Sequence, residues 1–195
     1  ALLRGRRDGR RLIMRYAESS PHEPAIQAAG LRSYVQEHLY ALPPRNVLPG
    51  NGPFRTVVRS DRAAIFRLYC RAVPESVRRH EALTQQEYRA IHDSHETAHE
   101  FALDHEAGIA VWVGIGEREA RLMTGVVGAD TLDACLDLIE AQPSRPSTLV
   151  VPEFQPELAR RAVERGYGQL GTRHVSARRM AILNPLKEVV AAGIP

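Results

Sequence analysis

Residues 147–182, STLVVPEFQPELARRAVERGYGQLGTRHVSARRMAI, constrain the fold more tightly than any other stretch of the chain. Thr148, Leu149, Val150 and Val151 are a β-branched and aliphatic run that predicts a strand, and Pro152, with no N–H to give a ladder, predicts its end. Pro156 suits the first turn of a helix in which Leu158, Ala159, Ala162 and Val163 share one face, while Arg160, Arg161, Glu164 and Arg165 take the other. Gly166 is placed for a left-handed C-cap, and Tyr167, Leu170 and Val175 belong to a second extended segment. A strand, a helix and a strand joined this tightly require a sheet to lie on.

Residues 11–42 repeat the design. Each copy has a strand ending in Glu-x-x-Pro (Glu18 and Pro21; Glu153 and Pro156), a short helix, a capping glycine (Gly30; Gly166) and a histidine eight residues later (His38; His174). The Pro-to-Gly interval is nine residues in the first copy and ten in the second, so the shared order predicts an internal repeat with one insertion.

A chain of 195 residues is long enough for one or two domains, and 44% apolar with 25% charged residues is the balance of a globular chain. No window reaches the roughly 18 consecutive apolar residues of a spanning helix. Residues 1–11 are basic but lack the apolar core and cleavage site of a secretory signal. The expectation is a cytoplasmic protein with no membrane partner, seen as a fragment or processed product because it begins without Met. The pI of 9.1 accompanies a net charge of only +3 spread along the chain, which argues against a nucleic-acid partner. Lys187 is the single lysine among 26 cationic residues, a skew that points to base composition of the gene more than to phosphate recognition. Cys70 and Cys135 are too few for a disulfide framework and are expected as free thiols.

Between the copies, Pro43, Pro44, Pro49, Gly50, Asn51, Gly52 and Pro53 predict a linker over 43–53. Phe54 to Arg59 predicts a strand, followed by a helix from about Arg62 with Ala64, Ile65, Leu68 and Tyr69 inward, and a second helical stretch over 75–91. Phe101 and Leu103 alternate with Ala102 and Asp104, Ile109, Val111, Val113 and Ile115 alternate with Ala110, Trp112 and Gly114, and Ala120 to Val127 makes a third strand of a meander. A helix over 131–141 buries Leu132, Cys135, Leu136 and Ile139. Residues 184–195 are expected as a C-terminal tail.

This order over 54–183, about 130 of the 195 residues, resembles the GNAT acyl-CoA N-acyltransferase superfamily. Two segments carry the likeness: Ala162-Val163-Glu164-Arg165-Gly166-Tyr167 at the end of the late helix, and Val57 to Ile65 as opening strand and first helix. The resemblance implies an α/β (α+β) fold with a mixed, mostly antiparallel sheet flanked by helices, residues 1–42 being the second half of another such unit. It also implies transfer of an acyl group, acetyl or another, from acyl-CoA to a small-molecule or peptide amine. The pyrophosphate of acetyl-CoA or another acyl-CoA would lie on the backbone amides of Val126, Val127, Gly128, Ala129, Asp130 and Thr131, at a helix N-terminus. Gly128 fits the family's loop pattern. Gly125 stands where a basic or amide residue is usual and Asp130 where a second small residue is, and Asp130 is expected to cap the helix from Thr131 or Leu132.

The family's acid, a tyrosine on the late helix, is replaced by Ala162 here and by Ile26 in the first copy, and the strand 120–127 offers only Arg121 and Thr124 as polar side chains. No catalytic residue is assigned on this basis, and a non-catalytic binding or scaffold module of the same fold is the alternative. A second alternative is a zinc hydrolase, since His95-Glu96-Thr97-Ala98-His99 spells HExxH, with His92, His105 and Glu106 nearby; that chemistry requires one continuous helix. Half a sheet exposes unpaired edge groups, so the N-terminal unit is expected to pair with the main domain, a second protomer in a homodimer, or a segment outside the chain.

Overall fold

The computed structural model describes residues 11–43, 52–92, 97–106, 108–143 and 146–179. In chain order these form β1 (Arg11–Ala17), α1 (Glu23–Ala28), β2 (Arg32–Ala41), β3 (Arg55–Thr56), a 3-10 turn (Arg59–Asp61), α2 (Arg62–Ala72), α3 (Glu75–His80), α4 (Gln85–His92), β4 (Thr97–His105), β5 (Gly108–Gly116), β6 (Glu119–Thr124), α5 (Ala129–Glu140), β7 (Thr148–Pro152), α6 (Pro156–Glu164) and β8 (Gly168–Arg179). Most of the expected linker and all of the expected tail lie outside the described residues.

The segments β1-α1-β2 and β7-α6-β8 end their helices in the same way. Gly30 and Gly166 take φ of 79° and 86°, the left-handed region open to glycine without a Cβ clash. In α6 the Gly166 N–H bonds the Val163 carbonyl at 2.9 Å and the Tyr167 N–H bonds Ala162 at 3.0 Å; in α1 the Gly30 N–H bonds Gln27 at 2.9 Å and Leu31 bonds Ile26 at 3.3 Å. Both are Schellman caps, each closed by an apolar contact position: Leu31 over Ile26, and Tyr167 over Ala162, all buried.

All strands join one eight-stranded sheet in the order β1-β8-β2-β7-β6-β5-β4-β3, antiparallel except for the parallel β6–β7 pair. The two units interlock. Their last strands, β2 and β8, pair at the centre with Glu37 opposite Arg173, and each first strand flanks the other unit's last strand, β1 on β8 and β7 on β2. Ala17 opposite Arg173 and Pro152 opposite Glu37 hold corresponding places in this arrangement.

Side-chain alternation along β5 divides the interior. Val111, Val113 and Ile115 face α5 and α6, where they meet Leu136, Ile139 and Leu158, whereas Trp112 faces α2 and α4 with Ile65, Leu68, Tyr69 and Met123. Gly114 is required here by contact: a Cβ on it would lie 2.4 Å from the Trp112 ring, which lies across it.

Three boundaries differ from expectation. The opening strand keeps only Arg55 and Thr56 in the ladder. The single helix expected over 75–91 is two, because Thr84 and Glu87 make a capping box: the Glu87 N–H bonds Thr84 Oγ1 at 3.2 Å and the Thr84 N–H bonds Glu87 Oε2 at 3.2 Å. β6 ends at Thr124 and α5 starts at Ala129, two residues earlier than expected.

Replacing Gly30 or Gly166 by alanine is expected to cost about 1–2 kcal/mol each in urea denaturation, because the left-handed cap then carries a Cβ. Unchanged midpoints would contradict the caps. Gly114→Ala is expected to cost about 1–3 kcal/mol and to alter the emission of Trp112, the chain's single tryptophan, as its ring is pushed aside; an unchanged spectrum would count against this packing.

Candidate active site

The parallel pairing of β6 and β7 is short. It runs from Glu119 opposite Thr148 to Arg121 opposite Val150, after which the strands part at their carboxyl ends and β7 continues on its other side with β2. A cavity of about 110 Å³, open at one side, lies at this gap, bordered by Arg121, Met123, Val150 and Pro152 from the strands and by Tyr69 and Tyr88 from the helices. The carboxyl ends of parallel strands are where open α/β sheets hold ligands, since the following helices point their N-termini there.

Beneath the gap sits Glu37, 4% exposed, on β2. Arg121 of β6 donates to its Oε1 at 2.8 Å, and Arg173 of β8 and Arg15 of β1 approach Oε2 at 2.5 and 3.3 Å. Burial opposes charge on Glu37, but the guanidinium groups of Arg121, Arg15 and Arg173 outweigh it and hold the carboxyl well below the usual range. Glu119 extends the network, accepting from Arg173 at 2.6 Å and from Arg121 at 3.1 Å.

A second cluster lines the helical side. Glu100 of β4 accepts from Arg62 Nη1 at 2.7 Å and Trp112 Nε1 at 3.0 Å, and His92 Nε2 lies 3.3 Å away. Burial works against its charge, but the His92 ring beside it and the bonds from Arg62 and Trp112 prevail and hold it at about 2. Tyr69, Tyr88, His92 and Trp112 form a continuous aromatic wall, with successive centroids 4.6, 5.3 and 4.8 Å apart. Glu81, just after α3, also borders the cavity; Tyr34 and Tyr69 donate their hydroxyls to it at 3.0 and 3.3 Å. Burial pushes its carboxyl up, and the partial offset from Arg15 and the two phenols does not reverse that.

The segment expected to hold a pyrophosphate lies between β6 and α5. Val126, Gly128, Ala129 and Asp130 are exposed and Val127 and Thr131 half-buried. Asp130 does not cap the helix as expected: Gly128 is the N-cap, in extended conformation, and no side chain caps this end. The helix begins early enough to place Asp130 within its first turn, where a carboxylate complements the dipole. Ala162 and Ile26 are buried, and Tyr167 is a core residue whose hydroxyl bonds Glu140 at 3.0 Å. Of the HExxH stretch, Thr97 to His99 lie in β4, with His99 exposed, and His95 and Glu96 fall outside the described residues. The continuous helix that a zinc motif needs is therefore not formed over Thr97–His99.

Glu37, Glu81 and Glu100 were not singled out from sequence. The available signal was faint: Glu37 occupies an inward position of β2 between Val35 and Leu39, a place where a lone carboxylate demands buried cations.

No protein-family model matches the chain, and no curated protein sequence is similar to it. Solved structures are. A protein assigned to the GNAT acetyltransferase family from Novosphingobium aromaticivorans superposes with a TM-score of 0.55 at 10% identity, covering 92% of this chain and 78% of its own. A GCN5-related N-acetyltransferase from Sphaerobacter thermophilus gives 0.50 at 13% identity, over 90% of this chain and 62% of that one. An acetyltransferase-like protein from Pyrococcus horikoshii gives 0.50 at 11%, over 89% and 55%. The chain thus spans under two thirds of the length of the last two. Its fold is that of the GNAT acetyltransferases, a mixed, mostly antiparallel sheet flanked by helices.

The depressed carboxyls carry a pH signature. Glu100 stays charged when folded down to about 2, against 4.5 for the ordinary group, so its contribution is full above 4.5 and is lost as pH falls through 2; Glu37 and Glu119 act in the same direction. Glu81, raised, acts oppositely above 4.5. Urea denaturation is expected to show stability falling between pH 4.5 and 2, with a shallower fall in Glu100→Gln; equal slopes would contradict the pairing.

Proposed function

We propose that this chain transfers an acyl group from acyl-CoA to an amine. The observation that carries the reading is the parting of β6 and β7 beyond Arg121 and Val150 with an open cavity behind it. An extended pantetheine arm can lie in such a gap and use the unpaired strand edges as hydrogen-bond partners. The amides of Ala129 to Thr131, at the uncapped start of α5, would receive the pyrophosphate, with Val126, Val127 and Gly128 leading into them. The thioester would then reach the cavity, and holding it beside an amine supplies much of the acceleration.

A second reading is a module of this fold that binds acyl-CoA, or a related ligand, without turnover. Ala162 favours it, because a methyl group stands where the resemblance expects a phenol to protonate the departing thiolate. On the same resemblance, β1-α1-β2 represents part of a second, tandem unit.

Thermal denaturation with millimolar acetyl-CoA tests the main reading: ligand bound only by the native state raises the midpoint, by about 2.7 kcal/mol of added stability at a hundredfold excess over Kd. No shift would contradict it. A shift without formation of free thiol in the presence of amines would favour the non-catalytic module.

A further inference from the structure

A histidine stands eight residues after each capping glycine, His38 after Gly30 and His174 after Gly166, and neither has a part in the cavity. The fold turns that equal spacing into proximity. β2 and β8 run antiparallel side by side, with Gln36 opposite His174 and His38 opposite Thr172. The ladder is regular between these two pairs, so the histidines stand on one face of the sheet as diagonal neighbours. That relation puts residues roughly 7–8 Å apart, within reach of one another's longer side chains. Glu37, Arg173 and Val175 occupy the alternate positions and face the opposite side of the sheet.

Each ring is held by one nitrogen. His38 Nδ1 lies 3.2 Å from Thr172 Oγ1 and His174 Nδ1 lies 3.2 Å from Ser33 Oγ, and the His174 ring also lies against Tyr16, centroids 5.6 Å apart. Both histidines are half-buried, and among the described residues no group bonds either Nε2. When Nδ1–H donates to the hydroxyl, the lone pair is on Nε2, and an outer partner on Nδ1 is how metal-binding histidines are oriented. The charges around the pair do not oppose a cation. Glu18 and Glu153, both exposed, follow the ends of β1 and β7 on either side, their N–H groups bonded to the Thr172 and Gln36 carbonyls at 3.1 and 3.0 Å. Arg178, four residues along β8 from His174, is bonded to the Ala29 carbonyl at the end of α1, and Arg15 and Arg173 are turned to Glu37. On α6, Arg160, Arg161 and Arg165 are paired with Glu157, Asp133 and Asp137.

We propose that His38 and His174 together bind one divalent cation of the late first transition row, nickel, copper or zinc, through their Nε2 atoms. Imidazole nitrogen selects these ions over magnesium and calcium, which take oxygen ligands. No group of three or more histidines, cysteines and carboxylates gathers around an ion position among the described residues, so water fills the remaining positions and the ion exchanges readily. Bound there, it clips β2 to β8. The site does not rest on the acyl-transfer reading.

Zinc ion titrated into the whole chain at neutral pH, followed by calorimetry and by the imidazole signals in NMR, tests this. One equivalent is expected to bind saturably in the micromolar range and to move the ring signals of His38 and His174 together, whereas magnesium at the same concentration moves neither. His38→Gln and His174→Gln are each expected to weaken binding about tenfold or more, with the thermal midpoint of each metal-free variant recorded alongside. Replacing both His95 and His99 of the HExxH stretch by Gln is expected to leave binding unchanged. The NMR comparison on the unaltered protein needs no variant and stands if one of them does not fold. Absence of saturable binding, or a ring shift in only one of the two histidines, overturns the proposal. Loss of binding in the His95 and His99 double variant, with binding retained in His174→Gln, overturns it too and assigns the ion to the HExxH stretch.

Discussion

Glu37 is the interaction on which the architecture turns. A carboxylate at 4% exposure would be strongly unfavourable alone, and it is tolerable because Arg15, Arg121 and Arg173 arrive from β1, β6 and β8 to meet it. Those strands come from both ends of the chain and from the meander. A buried ion cluster of this kind adds little net stability over apolar packing, but removing one partner strands the rest, so it penalises any register other than the observed one. Glu37 and Arg173 also face each other where β2 and β8 pair, so the last strands of the two strand-helix-strand segments meet at a charge pair.

The same cluster explains the cavity. Arg121 is the last residue of β6 to pair with β7, and its guanidinium is drawn under the sheet towards Glu37 and Glu119. Past it the strands separate, and the floor of the gap is the committed pair of Arg15 and Glu37, while the ceiling is the aromatic wall fixed by Glu100 through Trp112 and His92. Gly114 belongs to this arrangement, since only a residue without a side chain lets the indole lie flat enough to reach Glu100. The strand supplied by the N-terminal unit is thus part of the site, not an appendage to it.

Much of this was legible in sequence because it is local. The Schellman glycines, the proline-led helices, the alternation of Ile109 to Ile115 and the doubled strand-helix-strand pattern all depend on residues within a few positions of one another. The pairing of β2 with β7 and β8 was not legible, because it joins residues more than 100 positions apart and periodicity carries no information about partners. Asp130 was misjudged for a related reason: Gly128 and Ala129 carry no polar side-chain signal, so the helix start was placed too late. The break at residues 81–84 was hidden by helix-favouring residues on both sides, although Thr84 and Glu87 stood at capping-box spacing, and with it went the position of Glu81 on the cavity.

A single sheet stitched through Glu37 makes one cooperative unit of the two ends of the chain. Native-state amide hydrogen exchange resolved by residue tests this directly. The central amides of β2 are expected to open with the same free energy as those of β7 and β8, equal to that of global unfolding. Exchange of the β1 and β2 amides through a much easier local opening, while β6 and β7 stay protected, would show that the N-terminal unit is only lodged against the sheet and would contradict its place in the site.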